Sequence, residues 1–487
     1  MKKFYLTTPI YYINDKPHIG HAYTTVAADV LARFHKLLGD ETYFLTGTDE
    51  HGAKVFQASQ KAKKDPKEFA DEIAGDYKKA WEQLEIKYAR FIGTTDKDHD
   101  ETVQKFLQKL YEKNYLVERN YEGFYCIGCE RFLTEDELVD GKCPEHNCEP
   151  VLQKEKNWFF KLSEFSDRLL KIIESDEYEI KPVERKNEVL GKIKKGLEDI
   201  SISRATLKWG IPLPFDKSQT CYVWVDALLN YYTFGHQKNI WPADLHIIGK
   251  DILWFHAIIW PAMLLAAEEK LPKKLFVHGY FTIGGKKMSK TLGNIITPQE
   301  LVEKFGANGT RYLLLSAYPF GGDGDITIEK FKEKYNADLA GGLGNLASRV
   351  AKLCNDLYLD NPITGWRELK DFVWRDKIGK LITTPFDKDF INGYKRCLDN
   401  LDFFGALNEI NNEISRIDKS INEDRPWELV KTNKDEARKV LTLLVLKINQ
   451  LATLLEPFMP SLPENLGKYF FSGPIKKIEE PLFKRVD

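Results

Sequence analysis

The chain has 487 residues, 43% of them hydrophobic and 30% charged, with a formal net charge of −2. That length exceeds one ordinary domain and predicts roughly three to four, and the near-neutral balance excludes a protein that coats nucleic acid through bulk positive charge, leaving only a local basic surface for such a partner. The longest apolar stretch, Ala257 to Ala267, is broken by Pro261 and falls short of the ~20 residues that span a bilayer, so no membrane partner is expected.

In chain order, residues 1–96 alternate apolar strand segments with helical runs, which predicts the first half of a doubly wound, Rossmann-like α/β nucleotide-binding fold with its ligand at the carboxyl ends of parallel strands. Phe4-Tyr5-Leu6 is the first strand. Pro17-His18-Ile19-Gly20-His21 then opens a run in which Val26, Val30, Phe34 and Leu37 recur at helical spacing, so the motif sits at a strand-to-helix turn. A helix N-terminus presents unpaired N–H groups and a positive dipole end; Gly20 allows close approach and two imidazoles add donors, a combination suited to a polyphosphate. Thr42-Tyr43-Phe44-Leu45 is a further strand whose end delivers Asp49. Such early motif-bearing sequence also argues against a cleaved signal peptide, and a cytoplasmic location is expected.

Residues 97–220 read as a connective insertion between the halves of that fold: a charged helix, a cysteine cluster, and a Lys/Glu-rich stretch through Arg185 to Glu198. Four of the seven cysteines lie at about 121–152, where Cys126-Ile-Gly-Cys129 and Cys143-Pro-Glu-His146-Asn-Cys148 have the spacing of a zinc knuckle. Spacing alone leaves His146 and Cys148 as alternative fourth ligands. One structural Zn2+ is expected, because four protein ligands leave no open position, and a disulfide is disfavoured in a reducing compartment. The sheet is expected to resume with Cys221 to Val225, continue through Leu245 to Ile248 and end near Leu275 to His278, making the second half 221–280. Residues 281–337 read as a small connecting domain whose loop, announced by Gly284-Gly285, carries Lys287-Met288-Ser289-Lys290-Thr291. From 338 to 487 the pattern is all-α. In the first of these helices Leu343, Leu346, Val350, Leu353 and Leu357 make a core stripe, while Asn345, Ser348, Arg349 and Lys352 share another face.

The early histidines and the late lysines, in that order, resemble the two ATP-binding signatures of class I aminoacyl-tRNA synthetases. Thr8-Pro9-Ile10-Tyr11-Tyr12, Gly47-Thr48-Asp49-Glu50-His51-Gly52, Tyr222-Val223-Trp224-Val225-Asp226-Ala227 and Ile248-Gly249-Lys250-Asp251, running on to Phe255-His256, resemble the methionyl-tRNA synthetases over nearly the whole chain. Thr291 stands where the family usually has serine, which keeps a hydroxyl. The resemblance implies an ATP site formed by His18, Gly20, His21, Gly249, Lys250, Asp251, Lys287 and Lys290. His18 and His21 would act on the triphosphate, Lys290 on transition-state charge, and Lys287 in support, in a first step that needs positioning and electrostatic stabilisation more than proton transfer.

It further implies a methionine pocket of Pro9, Ile10, Tyr12, Trp224, Ala227, Tyr231, Ile252 and His256, with Asp49 pairing the ammonium. A thioether offers no strong hydrogen-bonding handle, so shape, burial and sulfur–aromatic contacts of about 0.3–1.5 kcal/mol must select it, and homocysteine is incompletely excluded. The family pattern favours Cys126, Cys129, Cys143 and His146 as zinc ligands, Mg2+ entering with ATP, and Asn345, Arg349, Pro426 and Trp427 as contacts to the anticodon of tRNA(Met). A short form ending at Asp487 is expected to be monomeric. Two other readings stay open: a cysteine-specific class I synthetase, and a catalytically dead RNA-binding adapter.

Overall fold

The computed structural model describes residues 2–13, 16–126, 131–133, 135–144, 147–287, 295–357, 386–470 and 475–487. Its central sheet has six parallel strands, β1 (Lys3–Tyr12), β2 (Glu41–Asp49), β3 (Arg90–Gly93), β4 (Glu179–Lys181), β5 (Leu245–Gly249) and β6 (Lys274–His278), in the order β3-β2-β1-β5-β6-β4. The strand order reverses at β1 and β5, and a crevice opens at such a switch point beyond the carboxyl ends of the strands. β1 leads there into the His18–His21 turn, and β5 into Gly249-Lys250-Asp251. Between Thr7 and Ile10 the β1–β2 register slips. Pro9, which has no N–H to give a ladder, lies in that slip, where a bulge re-aims the following side chains.

Helix α1 (Ile19–Leu37) buries Val26, Val30 and Phe34 against the sheet, as its periodicity predicts. The charged run becomes α2 (Lys97–Glu112), which packs on α3 (Val223–Gln237). Two expectations are corrected here. Cys221 to Val225 is not a strand of the main sheet: only Thr220–Cys221 is extended, pairing antiparallel with Ser203–Arg204, and Val223 begins α3. A short apolar run cannot be assigned by periodicity, and the burial that continues to Gly235 is long enough for a helix. The insertion is not wholly separate from the sheet either, since Glu179–Lys181 returns as the edge strand beside β6.

The knuckle sits on a long antiparallel hairpin, Leu116–Cys126 with Val151–Phe160. Gly284 and Gly285, with φ of +59° and +72°, form a tight two-residue turn between the short strands Phe281–Ile283 and Lys286–Lys287, positive angles that suit glycine. Helix α4 (Pro298–Ser316) follows, opened by Pro298 and a reciprocal Thr297–Glu300 cap. Then come α5 (Asn345–Asp356), α6 (Phe403–Asp424), α7 (Pro426–Thr432) and α8 (Lys434–Leu455). One apolar core runs from Val26 through Leu313 to Leu407, Ile448 and Phe458, so the helical region packs continuously on the nucleotide fold. Among the described residues no helix is long and apolar enough to cross a membrane.

Candidate active site

His18 is the N-cap of α1. Its Nδ1 accepts the Gly20 N–H at 3.0 Å, and His21 Nδ1 accepts the His18 N–H at 3.3 Å. With its Nδ1 used as an acceptor, a neutral His21 ring carries its proton on Nε2. The rings stack with centroids 3.8 Å apart. Burial, and then the neighbouring His18, hold His21 well below the ordinary histidine range, so it binds as a neutral donor. Gly20 stands between them at the helix start.

Lys290, with Met288, Ser289 and Thr291, lies outside the described residues, and Lys287 is described in its backbone only. The flank of that segment is nevertheless tied to the histidine motif: the Ile19 N–H donates to the Ile296 carbonyl at 3.0 Å. Thr24 Oγ1 also meets His278 Nε2 at 2.7 Å, joining α1 to the end of β6. Lys250 does not project freely. It pairs with Asp323 at 2.6 Å and lies over the Tyr280 ring, while the Asp251 N–H donates to Tyr280 Oη at 2.9 Å.

Several residues of the expected methionine pocket lie near one another at the ends of β1 and β2 and on α3. Ile10 pairs with Gly47 and Tyr12 with Asp49 across β1 and β2, while Trp224, Ala227 and Tyr231 fall on one face of α3, at spacings of three and four. Ile10, Tyr12, Trp224, Tyr231 and Ile252 share one apolar cluster, and Pro9 borders them in the register slip. Trp224 stacks on Phe255 at 4.0 Å. His256 Nδ1–H donates to the Ile252 carbonyl at 3.0 Å, so its Nε2 accepts the Tyr231 hydroxyl at 2.8 Å. Burial lowers His256 to about 4, which keeps the ring neutral. Tyr231 therefore has its hydrogen committed and its orientation set, and burial, together with charges that include Asp49, pushes its ionisation far up. Aromatic rings packed around a neutral histidine suit a thioether.

In the knuckle, Cys126 Sγ and Cys148 Sγ are 3.7 Å apart, and Cys143 is buried beside them with its N–H bonded to the Cys148 carbonyl at 2.9 Å. That separation excludes a disulfide and matches the ~3.8 Å edge of a tetrahedron of thiolates about 2.3 Å from zinc. Cys129 and His146 lie outside the described residues, and among those described no group of three or more ligands forms a complete site. In the helical region Asn345 is exposed, and Arg349 is held by Asp418 at 2.7 Å and Asn422 at 2.6 Å, both on α6. Pro426 is buried as the first residue of α7, and Trp427 beside it is 36% exposed. Arg349 is thus held on the last turns of α6, and Trp427 lies in α7, which follows α6 in the chain.

Sequence reasoning missed a buried cluster of His51, His99 and Asp226, and the buried Arg311–Asp29 pair. His51 and Asp226 lie within motifs already singled out, but nothing in their spacing signals that they meet.

The family model described as tRNA synthetases class I (M) matches residues 4–149 and 146–351. The methionine–tRNA ligase of Caldanaerobacter subterraneus is 43% identical over 482 residues, covering 96% of this chain and 73% of that protein; the Bacillus subtilis enzyme is 40% identical, covering 95% and 72%. The structure of Mycobacterium tuberculosis methionyl-tRNA synthetase in complex with methionyl-adenylate superposes with a TM-score of 0.87 at 35% identity, covering 96% of this chain and 93% of that one. Its apo form gives 0.83 at 31%, covering 100% and 99%.

Proposed function

The chain belongs to the methionine–tRNA ligases among the class I tRNA synthetases, and from that membership we propose how its residues divide the work. The enzyme joins methionine to its tRNA in two steps: the methionine carboxylate attacks the ATP α-phosphate and expels pyrophosphate, then a terminal ribose hydroxyl of the tRNA takes the methionyl group from the adenylate. Methionine lies with its thioether among Pro9, Ile10, Tyr12, Trp224, Ala227, Tyr231, Ile252 and His256, and its ammonium on Asp49. His18 and His21 act on the triphosphate at the start of α1. Gly249, Lys250 and Asp251 border the adenosine. Lys290 meets the charge that develops as pyrophosphate leaves, with Lys287 in support. Class I synthetases use Mg2+ with ATP, and the magnesium neutralises the polyphosphate as it enters.

One observation carries the assignment of the lysines: the Ile19–Ile296 hydrogen bond anchors the flank of the lysine segment on the first turn of the histidine helix. A group acting only on transition-state charge affects rate more than substrate affinity. Lys290→Ala is therefore expected to depress methionine-dependent ATP–pyrophosphate exchange about 100-fold or more, the scale of one lost charge-stabilising group; unchanged exchange refutes the role. The same assay run with methionine, cysteine and leucine separates a methionine enzyme from a cysteine-specific one, and exchange with none of them supports the adapter reading.

Zinc is held in the knuckle by Cys126, Cys129 and Cys143, with His146 or Cys148 completing the set. It is structural, and the 3.7 Å thiol pair supports it. Metal analysis of protein purified without chelator should return one zinc per chain, and its absence overturns the assignment. Asn345, Arg349, Pro426 and Trp427 contact the anticodon of tRNA(Met), the arginine and asparagine through base edges and the tryptophan by stacking. The enzyme is monomeric and cytoplasmic. Light scattering that returns twice 56.4 kDa refutes the monomer.

A further inference from the structure

A second buried polar centre lies behind the methionine pocket, and the two-step chemistry does not use it. Asp226, 1% exposed in the first turn of α3, accepts from His51 Nδ1 at 2.7 Å through one carboxylate oxygen and from His99 Nε2 at 2.8 Å through the other. Both histidines are buried. Thr233 directs its own hydroxyl hydrogen to the Leu229 carbonyl at 2.9 Å and lies 3.0 Å from His99 Nδ1. The cluster is a carboxylate clamped between two imidazole rings.

Its three members come from three elements. His51 follows β2, two residues beyond Asp49; His99 is in the first turn of α2; Asp226 lies on α3 between Trp224 and Tyr231. The segment that carries Asp49 and His51 is fixed on its other side as well. Glu50 accepts from Thr48 Oγ1 at 2.7 Å, the Glu50 N–H donates to Thr94 Oγ1 at 2.9 Å, and Trp209 Nε1 donates to the Glu50 carbonyl at 2.7 Å. A buried ionic cluster adds little net stability over an apolar filling of the same volume; what it supplies is fixed geometry. The geometry at stake is the distance between the end of β2 and the face of α3.

We propose that Asp226 is a positioning residue for methionine. Through His51 and His99 it sets the strand end bearing Asp49 against the helix face bearing Trp224, Ala227 and Tyr231, so that one substrate meets its ammonium partner and its thioether cavity together. The inference rests on the reading of Asp49 as the ammonium partner. It concerns relative placement, so it makes a ligand-selective claim: only molecules that must engage both ends depend on Asp226.

The test uses the full-length enzyme with Asp226→Asn, whose amide matches the carboxylate in size but accepts from one histidine only. Three probes are titrated: L-methionine, L-methioninol, which keeps the ammonium and the thioether, and 4-(methylthio)butanoate, which lacks the ammonium. Methionine and methioninol should each bind about tenfold more weakly, 4-(methylthio)butanoate should bind within about twofold of the unaltered enzyme, and the KM for ATP should not move. Equal weakening of all three probes, or of none, overturns the proposal. If Asp226→Asn does not fold, His51→Ala cuts the same link from the strand side and should show the same selectivity. His51→Asn, which keeps a donor at the Nδ1 position, should then recover most of the lost affinity; no recovery counts against the link. Asp49→Asn is measured beside them: unchanged binding of methionine and methioninol there refutes the ammonium reading itself, while a loss there with no selective loss in Asp226→Asn refutes only the positioning role.

Discussion

Arg311→Met tests how the helical region is held to the nucleotide fold. The guanidinium is fully buried on α4. It pairs with Asp29 of α1 at 2.7 Å and donates to the carbonyls of Leu84 at 3.0 Å, Pro457 at 2.7 Å and Phe458 at 2.8 Å. One side chain thus ties α1, the turn after Gln83 and the segment after α8. Burial lowers its affinity for the proton even though Asp29 opposes this, so the guanidinium depends on these partners. Methionine fills similar volume but leaves three buried carbonyls without a donor and weakens the neutralisation of Asp29, which keeps Arg33 at 2.7 Å and the Lys87 N–H at 2.9 Å. Breaking a buried pair from one side costs about 3–5 kcal/mol, and the stranded carbonyls place the loss in the upper part of that range, about 5 kcal/mol.

The assay is urea unfolding followed by tryptophan fluorescence and by circular dichroism. Because the lost contacts lie between structural regions, the two signals should separate into two transitions, the first at lower urea than in the unaltered enzyme. Asp29→Asn combined with Arg311→Met removes the leftover charge and should recover part of the loss. A single Arg311→Met variant within about 1 kcal/mol of the unaltered enzyme, the scale of an ordinary surface change, refutes the reasoning.

Other consequences are equally direct. His256 is held near 4 by burial, whereas an unfolded histidine protonates near its ordinary 6.5, so the unfolded state binds more protons between those values. The neutral ring contributes its stability above pH 6.5 and loses it as pH falls toward 4, about 3 kcal/mol in all; His256→Gln should flatten that part of the stability–pH curve, and an unchanged slope refutes the assignment. Gly47 lies so close to β3 that an added Cβ would stand 1.9 Å from the Ile92 carbonyl oxygen. Gly47→Ala should force β2 and β3 apart and lower the melting temperature by more than ~5 °C, and a smaller change shows that the strands yield cheaply. Trp427→Ala should weaken tRNA binding about tenfold, the scale of one lost stacking contact, while leaving adenylate formation intact; equal loss of both points to a folding role instead.

Much of this molecule is legible along the chain because the signals are local. The stripe of Val26, Val30 and Phe34 is buried as its spacing predicts, since helical periodicity and burial are one geometric fact. His18 and His21 cap a helix because an N-terminus lacks internal partners for its first N–H groups, and Cys126 and Cys148, 22 residues apart, come within 3.7 Å of each other. The stretch from Cys221 to Val225 was not legible. Its aromatic and β-branched residues favour a strand locally, yet burial against the sheet and α2 makes it the start of a helix, which is how tertiary context overrides propensity. Glu179–Lys181 is too short to announce itself as a sheet edge.

Long-range polar pairing is where the fold itself decides. His51 and Asp226 are 175 residues apart, and the charge and exposure of neither residue in isolation says that they share a buried bond. Arg349 reads as a solvated cation until α6 supplies Asp418 and Asn422. Sequence by itself determined the kinds of chemistry present and the local elements that carry them, because backbone propensity and periodicity act over a few residues. Which donor meets which acceptor, and so which groups are neutral, clamped or aimed at a substrate, was decided only by tertiary packing, because desolvation and hydrogen bonding depend on neighbours the chain brings in from hundreds of residues away.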